Sequence, residues 1–430
     1  MRGPAQPRRG RPTAIMRGPF GLLWAGQSVS LLGDTVFLIA FTWQLAVAWH
    51  RPGLLGVLLA ARVAAELVTL GLGGWIVDWI ARRDLIGAAD AVRAGLLLGL
   101  ALFLHQPPPV VPMAIILALF GVATALFRPA LGAYIPQIVS PEHLQAANAR
   151  LGLSQQAATL AGPAIGAGLV AVGSASTALR LDALSFALAA ISALFLPRRA
   201  PAAHGGGGAL AATLEGFRVV RRAWWLGGGI LLASLVNIAT ITAERLALPQ
   251  VANQRYGHLG GYATILFTIS VGAIVTNLVM DRLRPPQWPG RVFYAAVLAF
   301  GSAIAAFRFG AGLAAAGLVG VAFGATQQLL GLLWTTGLQR YVPDRLLGRV
   351  NAIDDFGSFL FLPLSFALGG VVVQAVSPTW VLVGAGVIAV VAAAIGLAVP
   401  ALHRWRPLGD DVGAPPAFPP SVPYAAEQAM

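Results

Sequence analysis

The sequence predicts an all-α membrane protein: twelve transmembrane helices in two six-helix, pseudo-symmetric halves. Three observations carry that expectation. The 430-residue chain is 57% hydrophobic and only 10% charged, with a mean hydropathy of +0.76. Apolar runs long enough to cross a bilayer, about 20 residues at 1.5 Å rise each, recur along nearly its whole length. One long polar connection near the middle divides those runs six and six. A spanning β-barrel is excluded, because it needs short segments of alternating polarity and runs such as LVGAGVIAVVAAAIGLAV do not alternate.

The first six runs cover residues 19–48, 54–77, 85–105, 110–133, 144–172 and 176–196. The second six cover 224–248, 259–281, 291–309, 311–338, 347–375 and 377–400. Domain boundaries follow: a basic tail at 1–18, a six-helix half at 19–196, a linker at 197–223, a second half at 224–400 and a Pro-rich tail at 401–430 expected to be disordered. The linker's GGGG is flexible, and its ALAATLEGFRVVRR stretch suits a short amphipathic helix on the membrane surface. The apolar run after the N-terminal tail is too long for a cleaved signal.

The net charge of +13 is distributed, not concentrated for nucleic acid. All 29 basic residues are Arg. They gather at both termini and in four of the five even-to-odd connections, as at Arg82 and Arg83, Arg198 and Arg199, Arg282 and Arg284, while the opposite connections carry only Arg51, Arg255 and Arg308. By the positive-inside rule both termini lie in the cytoplasm. The charge therefore orients the chain in a bilayer and implies no nucleic-acid partner. With no cysteine, disulfides and thiolate chemistry are excluded. The six His residues fall in loops or helix ends and no phosphate-binding G-x-x-x-x-G-K-[ST] loop exists, so an enzyme, an ATP-driven pump, a metal and a cofactor are not expected.

The halves read as duplicates. Adding 203 carries Asp78 onto Asp281, Asn148 onto Asn351, Gly166 onto Gly369 and Asp34 onto Asn237. Paired six-helix repeats with a site between them near the midplane form a transporter architecture. The stretches FGLLWAGQSVSLLGDTVFLIAFTW, FRPALGAYIPQIVSPEHLQAANA and LQRYVPDRLLGRVNAI, with Gly74, Asp78, Arg82 and Arg83 in the second-to-third connection, carry a family likeness. Over about residues 17–400 the chain resembles the major facilitator superfamily, and most closely its twelve-span drug:proton antiporters of the macrolide-efflux and enterobactin-exporter type. Trp79 and Ala81 depart from the loop pattern where a basic residue and a Gly are usual.

The resemblance implies a bacterial cytoplasmic-membrane exporter of an amphipathic small molecule, such as a drug, an antibiotic or a siderophore-like metabolite. Export would run by proton antiport with alternating access, and the proton gradient would be its energy source. A proton-coupled importer of a small metabolite, or a non-transporting membrane sensor of the same fold, stays open as an alternative. The expected partners are a small-molecule substrate, protons and the lipid bilayer, with the protein a monomer. The resemblance also places spans one, two, four, five, seven, eight, ten and eleven around a central cavity.

An intramembrane charge costs about 2.5 to 3.5 kcal/mol on insertion scales, so each is a functional candidate. Asp34, without a local cation, is the first candidate for proton coupling, with a structural pairing to Arg62 on the adjacent helix as the alternative; Glu66 and Arg62, four residues apart on span two, are next and are expected to neutralise each other. Arg128 is assigned to an inner-surface network, Asp90, Arg93 and Asp182 to structural bridges on peripheral helices. The cavity candidates are Gln27, Trp43, Gln44, Asn237, Glu244, Gln327, Gln328 and Trp334, with Gln155. Asp354 and Asp355 are either cavity carboxylates or a helix N-terminal cluster. Asp78 is expected to latch the halves by pairing with Arg349, with Gly74 and Asp281 as its loop neighbour and duplicate, while Arg82 and Arg83 serve topology and phospholipid contact. Gly162, Pro163 and Gly166 match part of the family's antiporter glycine motif and allow close helix packing with a bend.

Overall fold

A computed structural model describes residues 16, 18–72, 80–104, 108–140, 143–199, 217–218, 220–221, 223–280, 282–283, 286–309 and 312–406. Among them the regular structure is entirely helical. The first half holds α1 (Pro19–Thr42), α2 (Pro52–Leu72), α3 (Arg82–Leu102), α4 (Val110–Ile138), α5 (Leu144–Val172) and α6 (Ala175–Leu194). The second holds α7 (Trp224–Thr242), α8 (Leu259–Met280), α9 (Pro289–Ala306), α10 (Leu313–Tyr341), α11 (Asp344–Leu360, resumed as Leu362–Ala375) and α12 (Pro378–Ala398). Eleven described helices are long and apolar enough to cross a membrane. The twelfth rod is α5, 29 residues long, whose first half LQAANARLGLSQQ is polar and which packs against α1, α6 and α8.

Local chemistry sets the ends. Pro19, Pro289 and Pro378 open α1, α9 and α12, where a missing N–H costs nothing. Ser174 caps α6 by accepting from the Thr177 amide at 3.1 Å. At the far end of each half's first helix the winding loosens into a π-helix, Trp43–Ala48 after α1 and Ala243–Ala247 after α7. The second runs on through Leu248–Tyr256 and stops at Gly257, whose φ of 70° suits glycine.

The duplication is visible in packing. A Cβ on Gly166 of α5 would lie 3.4 Å from Ile39 of α1, and one on Gly369 of α11 would lie 2.4 Å from Thr242 of α7. Residues 166 and 369, like 39 and 242, differ by 203, so the same helix pair closes at the same point in both halves.

Among the described residues the halves meet toward one face. Toward the face carrying the loops between spans one and two, seven and eight, and eleven and twelve (the loop face), α2 presses on the second segment of α11. There a Cβ on Gly56 would stand 2.2 Å from the Phe366 carbonyl oxygen, and one on Gly370 3.0 Å from Gly53 Cα. Nearby, Trp43 stacks on Tyr262 at 6.3 Å, and deeper in the membrane Ser270 of α8 donates to the Thr159 carbonyl of α5 at 3.2 Å. Toward the opposite face, where α1 and α7 begin (the terminal face), Asp344–Leu360 packs on α7 and α10 of its own half. Val68 of α2, Leu153 of α5, Leu278 of α8 and Phe356 of α11 are exposed there. The halves close at the loop face and splay at the terminal face.

One expectation needs correction. The second half does not end at residue 400: Pro400–His403 forms a further helical turn, and Leu402, His403 and Trp405 are buried. Trp405 wedges among Trp225, Phe293, Trp334 and Tyr341, because a large ring placed just past a membrane helix finds its lowest free energy in an aromatic cleft. Arg83, expected to serve topology and phospholipid contact, also binds within the protein. Its guanidinium donates to the Leu194 and Leu196 carbonyls at 3.2 and 2.9 Å and pairs with Asp84 at 3.1 Å, satisfying the open end of α6. Arg82 is buried beside it. The remaining latch residues, Gly74, Asp78 and Asp281, and the side chains of Arg349 and Asp355, lie outside the described residues, as does most of the linker stretch expected to be helical.

Candidate functional site

A cavity of about 660 Å³ opens between the halves. Its walls come from α1, α2, α4, α7, α9, α10, α11 and α12. The family resemblance implied α5 and α8 there in place of α9 and α12. The difference has a cause in α7, where Gly229 and Ala233 present almost no side chain. The space runs past that thin stretch to Phe293, Tyr294, Val297 and Phe300 of α9 and to Ala392 of α12.

Six charged side chains reach the cavity, Arg62, Arg128 and Arg245 against Glu66, Glu244 and Asp354. Glu66 does not pair with Arg62. It pairs with Arg128 of α4 at 3.5 Å, while the Arg62 guanidinium sits 4.6 Å from the Phe120 ring centre and 5.8 Å from that of Phe37. Spacing of four along a helix permits contact but does not compel it, and here the neighbouring helix offers each group a better partner. Glu244 and Arg245 are consecutive, which on a regular helix would point them about 100° apart. They fall in the π-helical turn Ala243–Ala247, whose wider winding lets both face the lumen, 3.5 Å from each other. At the other end Trp334 lays its indole against Trp225, Phe293 and Trp405 and donates from Nε1 to Asp354 Oδ2 at 2.8 Å.

Two bundles of six, related by one offset and enclosing a charged cavity at their seam, call for comparison with known transporters. A profile of the Major Facilitator Superfamily matches residues 23–360. The chain belongs to the Major Facilitator Superfamily.

Among curated relatives of this superfamily member, the enterobactin exporter EntS of Shigella boydii serotype 4 (strain Sb227) is 26% identical over 339 residues, covering 78% of this chain and 80% of that one. EntS of Escherichia coli O127:H6 matches to the same extent. Among solved structures the fold is shared with the nucleoside transporter NupG, at a TM-score of 0.70 and 14% identity over 88% of this chain and 98% of that one. A bacterial homologue of the iron transporter ferroportin in an inward-facing state follows at 0.64 and 14%, over 88% and 98%. The protein is thus a multi-pass membrane transporter of this superfamily.

The structure sorts the sequence candidates of this major facilitator unevenly. Asn237, Glu244, Gln327 and Trp334 line the cavity with Arg62 and Glu66. Gln27 does not: it is buried inside the first half, donating to Asp90 Oδ2 at 3.2 Å. Trp43 belongs to the loop-face seam, and Gln44 lies in the same π turn, off the cavity wall. Gln328 donates to Asn277 of α8 at 3.1 Å, joining α10 to α8. Gln155 is exposed on α5. Gly162 and Gly166 lie against Thr35 and Val36 of α1, Pro163 between them within the helix.

Asp34 is set behind the cavity wall, among groups the sequence had dispersed. Arg93 is hydrogen-bonded to Asp90 and lies 4.1 and 4.4 Å from the rings of Phe127 and Phe186. Asp182 is 1% exposed and accepts from Ser185 at 3.0 Å. The signal that could have found this assembly was present: three carboxylates and an Arg inside apolar runs need one another in lipid.

Proposed function

We propose that this transporter exports an amphipathic small molecule from the cytoplasm in exchange for protons. Its terminal face is cytoplasmic on this reading, from the clustering of Arg in the connections on that face. The conformation is then the inward-open one, ready to load substrate. The observation that carries the reading is the cavity: about 660 Å³, walled by aromatic and aliphatic side chains and holding three cations and three anions. Such a wall suits a ligand with broad apolar surface and a few polar groups. The export direction draws on the likeness to the enterobactin exporters at 26% identity. Asp34, Glu66 and Arg62 are the proposed coupling groups, since intramembrane carboxylates beside a cavity are suited to carry protons.

The test is uptake of fluorescent dyes and drugs into everted vesicles with and without an imposed proton gradient. Gradient-dependent accumulation by wild type that falls at least tenfold in Asp34→Asn is the expected result. Accumulation indifferent to the gradient would sink proton antiport, and accumulation only in right-side-out vesicles would sink export.

A further inference from the structure

Among the described residues, the charges within the membrane-spanning part of the first half do not balance. Four carboxylates, Asp34 on α1, Glu66 on α2, Asp90 on α3 and Asp182 on α6, interact with three guanidinium groups, Arg62 on α2, Arg93 on α3 and Arg128 on α4. Two pairs form, Asp90 with Arg93 and Glu66 with Arg128. What remains is Asp34 and Asp182 against Arg62, and Arg62 is given over to the Phe120 ring. The one ionisable side chain of α5, Arg150, belongs to a residue at the terminal-face end of that helix, where its carbonyl meets Trp24.

Two oxygens mark where the imbalance sits. Asp34 Oδ1 and Asp182 Oδ2 are both buried and hydrogen-bonded to nothing among the described residues. Asp182 is held toward α1 by the backbone there: a Cβ on Gly33 would stand 2.1 Å from its Oδ1 and 2.6 Å from Ser185 Oγ, so the carboxyl fills the notch a glycine leaves. Asp34 is the next residue along. Leu38, one turn further on α1, lines the substrate cavity.

We infer that Asp182, with Asp34, is a proton-binding site within the first half: the two carboxyls hold one proton between them, off the substrate cavity, and Asp34 connects it to that cavity. One proton brings the seven-group set to neutrality. Without it Asp182, 1% exposed, would stand as an anion with no cation of its own inside the packed bundle, which apolar surroundings do not tolerate. The proton is assigned to the pair and not to either member. The role of this site in transport rests on the proton-driven reading above, but its existence does not.

Infrared difference spectroscopy on the intact protein in liposomes, at neutral pH in H2O against D2O, reads the proton directly as a carboxylic-acid band. Wild type should show such a band. Asp182→Asn and Asp34→Asn should each lose it, whereas Asp84→Asn, at the start of α3 outside the cluster, should keep it. Either of the first two suffices if the other fails to fold, as judged by gel filtration and melting. No acid band in wild type, or a band that survives both substitutions, overturns the inference. A band lost as expected in a protein whose transport ignores the proton gradient upholds the site and overturns the antiport reading.

Discussion

Glu66 of α2 and Arg128 of α4 stand 3.5 Å apart on the cavity wall, and this pairing frees Arg62 to lie on the Phe120 ring. The Arg128 side chain is 69% exposed, so the pair contributes little to stability, on the order of 0–1 kcal/mol. Its work is to set the charge of the wall. Arg128→Ala should therefore shift the melting temperature by no more than a few degrees while changing which dyes are transported according to their charge. A collapse in stability from this substitution would show the pair to be structural instead.

The loop-face seam depends on three glycines. Gly53 and Gly56 of α2 meet Gly370 of α11 so closely that a Cβ on Gly370 lies 3.0 Å from Gly53 Cα and one on Gly56 lies 2.2 Å from the Phe366 carbonyl oxygen. A side chain at Gly56 therefore meets backbone that cannot step aside. Gly56→Val should force the seam apart and lower both the melting temperature and transport, whereas Gly95→Ala, where a Cβ meets nothing within 4 Å, should lower neither. Unchanged melting and transport in Gly56→Val would show that the seam does not depend on this contact.

Trp334 and Asp354 tie α10 to α11 through a 2.8 Å hydrogen bond to a carboxylate. Such bonds are worth about 1.5 to 3 kcal/mol. A thermal-melting cycle of Trp334→Phe, Asp354→Asn and the double variant should return a coupling of about 0.5 to 3 kcal/mol. Strict additivity would count against the bond.

Trp405, 8% exposed and packed on four rings, anchors the chain beyond the last span. Trp405→Ala should cost about 3 to 5 kcal/mol, as for large aromatic truncations in cores, and lower the melting temperature well beyond the Arg128→Ala effect. An unchanged melting curve would show that the cleft refills around the loss.

Membrane spans were legible in the sequence because crossing lipid is a local demand: about 20 residues must be apolar whatever their neighbours. The duplication was legible too, since one offset aligned landmarks that recur in space as the Gly166–Ile39 and Gly369–Thr242 contacts. The sites were read less well. Hydropathy says that Gln27, Asp90, Arg93 and Asp182 are inside the bilayer but not which way around the helix each points. A turn of a helix moves a side chain from cavity to core, which is how Gln27 left the cavity list and Asp182 acquired Asp34 as its electrostatic neighbour.

The amino-acid order by itself determined the class, the number of spans and the two-fold plan, because each follows from the free energy of placing a segment in water or lipid. Only the tertiary structure decided the partners: Glu66 with Arg128, Trp334 with Asp354, α9 and α12 in the cavity wall, and a surplus carboxyl in the first half. Those outcomes depend on distances between helices far apart in the chain, and in the absence of water each buried polar group takes whatever partner the packing brings within reach.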